Sequence, residues 1–219
     1  PPELKGRIPL SPIPEDLDPR WTEESIARFQ ETARAFAEEA DFEDFWAGNE
    51  KFYAMSEKAL RESLEGHEIT PWLQDIFGVK ADAFAVIIGM QVGRGKYGLR
   101  RTREDGSAEF LSIIGASSPS PWRGVPRFDP SWLIRTVVHE FAHPFVNPIV
   151  DGNEELLKEV GEKLHAHLSE HLRRQGYPTW RHLWYEYLVR AGVLRYLHHN
   201  GGEERIPQLL EKNELQGCP

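Results

Sequence analysis

The sequence predicts an α+β domain, and three observations carry that expectation. Apolar residues recur at three- and four-residue steps on both sides of a central stretch, as amphipathic helices require. Residues 81–115 differ: they are rich in apolar and branched side chains and are punctuated by Gly93, Gly95, Gly98 and Asp105-Gly106, the pattern of short strands joined by turns. At 219 residues, with 40% hydrophobic and 11% aromatic content, the chain can build one sizeable core. The expected architecture is a small, mainly antiparallel sheet packed on a helix, with further helices before and after it. It would form a single domain over residues 21–219, preceded by an arm over residues 1–20.

The arm follows from Pro1, Pro2, Pro9, Pro12, Pro14 and Pro19, a density that forbids helix and favours extended chain. Thr22 then caps a helix carrying Ile26, Phe29, Ala33, Phe36 and Ala37, with Glu23 and Glu24 where the helix dipole favours negative charge. A second helical stretch through Phe45, Trp46, Phe52, Tyr53 and Leu60 is expected to break around Gly66 and again at Pro71. After the strands, residues 116–130 read as a Ser- and Pro-rich loop, and Asp129 or Ser131 can cap the next helix. Asp151 and Asn153 can start another, with Leu157, Val160, Leu164, Leu168 and Leu172 as its apolar face. Thr179 starts a last one, running to about His198 before Gly201-Gly202.

A formal charge of -9 argues against nucleic acid or an anionic membrane as partner, because no segment supplies a clustered cationic surface. No apolar run approaches the roughly 18–20 residues that span a bilayer; the longest is the Ala83 to Met90 stretch. The sequence opens on Pro1, which implies a preceding segment or a cleavage, where an export signal would lie. The single cysteine, Cys218, has no internal partner and is assigned no role. Gly93-Arg94-Gly95 lacks the ending of a phosphate loop, so no nucleotide cofactor is expected.

Chemistry concentrates in Ser131 to His143, SWLIRTVVHEFAH. Trp132, Val137, Val138 and Phe141 make this segment helical, so His139 and His143 stand one turn apart on one face and can converge on one ion. Glu140 is turned about one hundred degrees away and suits a general base better than a ligand. A catalytic zinc takes about three protein ligands, so a third must lie downstream. Glu186 is the choice, because it shares an apolar helix stripe with Leu183, Val189, Arg190, Val193 and Leu197, where a bare carboxylate is costly. The alternatives are an ordinary ion pair between Glu186 and Arg190, or ligation by Asp151 or His182. Glu155, Glu159 and Glu162, near Lys158 and Lys163, read as a solvated face, and His165, His167 and His171 form no ligand spacing.

HEFAH, the following Phe145-Val146-Asn147-Pro148, Tyr97-Gly98 in the strand region, and Glu186 before Arg190-Ala191 together resemble the DUF4932 family of bacterial proteins, over roughly residues 80 to 195. The resemblance implies a zincin-like α+β fold, with Glu186 as the third ligand of a glutamate-type zincin. Pro144, directly after the second histidine, is expected to kink or end the helix there, since it removes a donor to the Glu140 carbonyl.

The expected function is a zinc-dependent hydrolase, a metallopeptidase acting on peptide or protein substrates: zinc on His139, His143 and Glu186 activates water, and Glu140 takes its proton. His182, Tyr185, Tyr187, Arg190 and Asn147 are candidate oxyanion donors, and Lys96 to Arg101 a candidate edge for pairing with a peptide. A metal-containing binding or scaffold protein without turnover is the first alternative, and a metal-free helical domain the second.

Overall fold

The computed structural model describes residues 21–92, 95–103, 105–115, 127–174 and 177–215. The arm expected over residues 1–20, the Gly93-Arg94 turn, residues 116–126 of the Ser/Pro loop and Cys218 lie outside the described residues. The chain divides into two compact units, Pro1–Met55 and Ser56–Pro219.

In the first unit, α1 (Glu23–Glu39) starts where expected. The Thr22 hydroxyl accepts the Ser25 N–H at 3.1 Å and the Ser25 hydroxyl accepts the Thr22 N–H at 2.8 Å, a reciprocal box that satisfies donors at the helix start. α2 (Phe42–Gly48) follows after Asp41, which takes a left-handed φ of 43°, and α3 (Glu50–Leu64) begins in this unit. The apolar pattern of α1 forecasts the helix better than its burial: Ala37 is buried, while Phe29 and Phe36 are 62% and 61% exposed.

In the second unit, α3 ends before Gly66, whose φ of 79° few other residues tolerate. Pro71 breaks nothing. It is the third residue of α4 (Ile69–Phe77), in the first turn, where a missing N–H leaves no intrahelical bond unmade. The strands β1 (Ala83–Ile88), β2 (Lys96–Thr102) and β3 (Ala108–Ile114) form a sheet in the order β1-β3-β2. The sheet is mixed, a correction to the mainly antiparallel one expected: β2 pairs antiparallel with β3, but β1 pairs parallel with it, Ala83 opposite Glu109. The tight turn through Asp105 and Gly106 fixes β2 beside β3. β1 then takes the other edge of β3, putting that apolar strand at the centre, with Phe110, Ser112 and Ile114 buried, and the charged β2 at an edge.

α5 (Pro130–Gly152) packs on β2 and β3 and also on α4 and α7 (Trp180–His199). Twelve of its residues are buried, so it is apolar nearly all round. Phe145 anchors the core, with ring centroids 4.7 Å from Phe110 and 5.1 Å from Phe77. α6 (Glu154–Arg174) turns part of its expected apolar face inward, with Leu157 against the core and Leu172 buried. Val160 and Leu164 are exposed, because Gly161 allows Trp180 and Trp184 to press against the helix backbone. A 3-10 turn (Glu203–Arg205) and α8 (Ile206–Leu215) follow. Among the described residues, no helix is long and apolar enough to cross a membrane.

Candidate metal centre

The Asp129 carboxylate caps α5 by accepting the Trp132 N–H at 2.8 Å, with Pro130 opening the helix. Of the kink or end expected there, the end does not occur: the helix continues past His143, through Pro144 and Pro148, to Gly152. The reason lies in β2. A Cβ on Gly98 would sit 1.9 Å from the Glu140 carbonyl oxygen, so the Gly98 Cα lies within about 3.5 Å of it, the range of a Cα–H···O contact. The carbonyl that Pro144 deprives of its helical donor is thus met by a strand that only glycine lets come so close.

On this helix the Nε2 atoms of His139 and His143 point at one another 3.3 Å apart. α7, capped by Thr179, brings Glu186 to the same place: Oε1 is 3.5 Å from His143 Nε2, and Oε2 is 3.6 Å from His139 Nε2. One ligand atom from each residue falls within a mutual span of 4.8 Å. A tetrahedral ion with bonds of about 2.0–2.1 Å keeps its donors about 3.3–3.4 Å apart, so these separations fit a metal ion held between the three. Glu186 is buried, and its Oε2 has no hydrogen-bond partner among the described residues, the position of a group whose partner is an ion.

Electrostatics favour the same role. Burial, followed by the neighbouring His143, Arg190 and Lys96, pushes the His139 imidazole down to about 3, which keeps its lone pair available at neutral pH. The His143 Nδ1 lies 3.2 Å from Asn147 Oδ1; donation to that oxygen leaves Nε2 free to ligate. Glu140, 4% exposed, is pushed up to about 7, mainly by burial, with Lys96 pulling it down and Glu186 pushing it up. A carboxyl held near neutrality is suited to exchange protons with water.

The structure thus brings His139, His143 and Glu186 together, with Glu140 beside them on α5. It engages the rivals elsewhere. Asp151 accepts a hydrogen bond from the Tyr185 hydroxyl and faces Arg181 at 3.8 Å, while His182 Nδ1 lies 2.7 Å from the Thr179 hydroxyl. The ion pair between Glu186 and Arg190 also exists, at 3.7 Å, alongside the histidine cluster and not in its place. Sequence reasoning named Asn147 as an oxyanion donor and missed its place behind His143, although their four-residue spacing was the signal. It did not single out Tyr177, which ends in the same cluster. Burial and then the charge of Glu186 push its phenol up to about 12.

No curated protein and no solved structure matches the chain. One family does, described as a domain of unknown function, DUF4932, and the match extends over residues 19–217, well beyond the segment that carries the motifs. This chain belongs to the DUF4932 family.

Proposed function

We propose that this protein is a zinc-dependent hydrolase, a zincin-like metallopeptidase of the glutamate type. The observation that carries the reading is the convergence of His139, His143 and Glu186 on one centre, next to a buried Glu140. Two imidazoles and one carboxylate are the donor set of a hydrolytic zinc, and three protein ligands would leave a fourth position open. Zinc bound there supplies Lewis acidity, which lowers the pKa of water and polarises a carbonyl. Glu140 accepts the proton of the attacking water and returns it to the leaving amine, a transfer suited to a carboxyl pushed up to about 7. Asn147 holds the His143 ring in place.

A peptide substrate is favoured by the position of β2. Among the described residues this strand pairs only with β3, and Gly98 brings its backbone against Glu140. An extended peptide added to the outer edge of β2 would be held by main-chain hydrogen bonds on the strand that packs against the backbone of Glu140.

The test is elemental analysis of the purified chain, together with hydrolysis of a mixed peptide library by wild type and by Glu140→Gln. The expected result is about one zinc per chain in both proteins, with turnover lowered about 10²–10⁴-fold in the variant. Zinc uptake without turnover in either protein would favour a metal-containing binding protein, and no zinc in wild type would remove the reading.

A further inference from the structure

Glu186 is also met by a side chain that plays no part in the proposed hydrolysis. Arg190, one turn further along α7, brings Nη2 to 3.7 Å from Glu186 Oε2. The same Nη2 lies 3.5 Å from the Tyr177 hydroxyl, and the guanidinium carbon stands 6.0 Å from the Tyr177 ring centroid. Tyr177 is itself fixed to α6: its N–H donates to the Leu172 carbonyl at 2.9 Å, and its own carbonyl lies 3.2 Å from His165 Nε2. The carboxylate therefore has the two imidazoles at 3.5 and 3.6 Å and, at 3.7 Å, a cation steadied by an anchored phenol.

Two effects of opposite sign follow from that cation. Arg190 could compete with a metal for Glu186, or it could hold the carboxylate in position for one. Competition requires the guanidinium to occupy the oxygen lone pairs, yet at 3.7 Å it is beyond hydrogen-bond range, and Glu186 Oε2 has no hydrogen-bond partner among the described residues. Positioning requires a nearby opposite charge that offsets the cost of a buried carboxylate before any metal arrives, and Arg190 meets that requirement. Without it, Glu186 would turn toward water, and metal binding would have to reverse that change.

We propose that Arg190, backed by Tyr177, is a positioning residue that holds Glu186 directed at the two histidines in the metal-free protein, and so raises the affinity of the site. The inference rests on Glu186 being the third metal ligand.

The experiment measures zinc affinity by competition with a chromophoric chelator, and the visible spectrum of the cobalt-loaded protein, for wild type, Arg190→Met, Arg190→Lys and Tyr177→Phe in the full chain. Arg190→Met should bind zinc about 10–100-fold more weakly, the usual cost of losing a group behind a metal ligand, and should alter the cobalt spectrum. Arg190→Lys should recover part of that loss, because it restores charge without the planar fork. Tyr177→Phe should weaken binding by a smaller factor. A folded Arg190→Met that binds zinc as tightly as wild type, or more tightly, with an unchanged cobalt spectrum, overturns the proposal. Should Arg190→Met not fold, Tyr177→Phe decides: it leaves every charge in place, and unchanged affinity and spectrum overturn the proposal equally. A wild type that binds no zinc removes the metal reading and this inference with it, whereas a wild type that binds zinc beside an equally tight Arg190→Met removes the inference alone.

Discussion

Glu109 on β3 and Glu186 on α7 are both buried carboxylates, with side chains 8% and 12% exposed, but they are satisfied in different ways. Glu109 is closed: Arg101 and Arg103 both donate to it, the latter at 2.8 Å, and the Arg103 hydrogen bond is the main cause holding its carboxyl below the usual range. Glu186 is open: His139, His143 and Arg190 all bring nitrogens to 3.5–3.7 Å, and none makes a hydrogen bond to it. A carboxylate whose partners stand back by that distance leaves space at their common focus. The difference between a closed ion pair and a group of side chains that could hold a metal ion is thus visible in distances alone.

The largest expected effect breaks the pair apart. Glu186→Ala should lose tight zinc binding, with an affinity drop exceeding the 10–100-fold typical of groups behind the ligands, whereas Glu109→Ala should keep wild-type affinity. The same pair can be read by thermal unfolding. Zinc at about a hundred times its dissociation constant should stabilise wild type and Glu109→Ala by about 2.7 kcal/mol and leave Glu186→Ala unchanged. Equal responses in the two variants would erase the distinction.

A third buried carboxyl, Glu140, sharpens the comparison through pH. Its folded value, about 7, lies above its ordinary 4.5, so the neutral form is favoured in the fold. Its contribution to stability is therefore complete below about pH 4.5 and is lost as pH rises through about 7, a difference of about 3 kcal/mol at most. His139 acts in the opposite sense, its contribution being lost as pH falls from 6.5 toward 3. Overall stability therefore mixes the two, and the readout is the difference between chelator-treated wild type and Glu140→Gln across that range. Wild type should lose stability relative to the variant as pH rises; parallel curves would show that Glu140 is not held near neutrality.

The smallest effect tests β2, which meets the Glu109 carboxylate through Arg101 and the Glu140 backbone through Gly98. Gly98→Ala must displace the strand or the Glu140 backbone, at a cost of about 1–3 kcal/mol in chemical unfolding. Turnover should fall, because the backbone that must give way carries the proposed base, Glu140. Unchanged stability and turnover would mean that the approach of β2 to α5 is not close.

What was legible in the sequence is what local spacing encodes. His139, Glu140 and His143 followed from helical periodicity, and Glu186 from a carboxylate in an apolar stripe, because both patterns repeat within one or two turns. The parallel pairing of β1 with β3 was not legible: its partners, such as Ala83 and Glu109, have no turn between them to announce the register. Nor was the passage of α5 through Pro144, since the residue that makes it tolerable, Gly98, lies on another element. Tyr177 precedes the cap of α7 and carries no periodic signal at all.

The burial of α5 on both flanks also bears on the order of events during biogenesis. Leu133, Val137, Val138, Ala142 and Val146 on this helix are almost wholly inaccessible and belong to the apolar core. Small zinc modules need their metal in order to fold, but here the imidazoles are already mounted on the most protected helix of the unit. Amide protons around His139 should accordingly exchange only on global opening, with or without zinc. On the proposed reading, an ion would be a late arrival at an already folded receptor, and its supply would govern how many copies carry it while leaving the number folded almost unchanged.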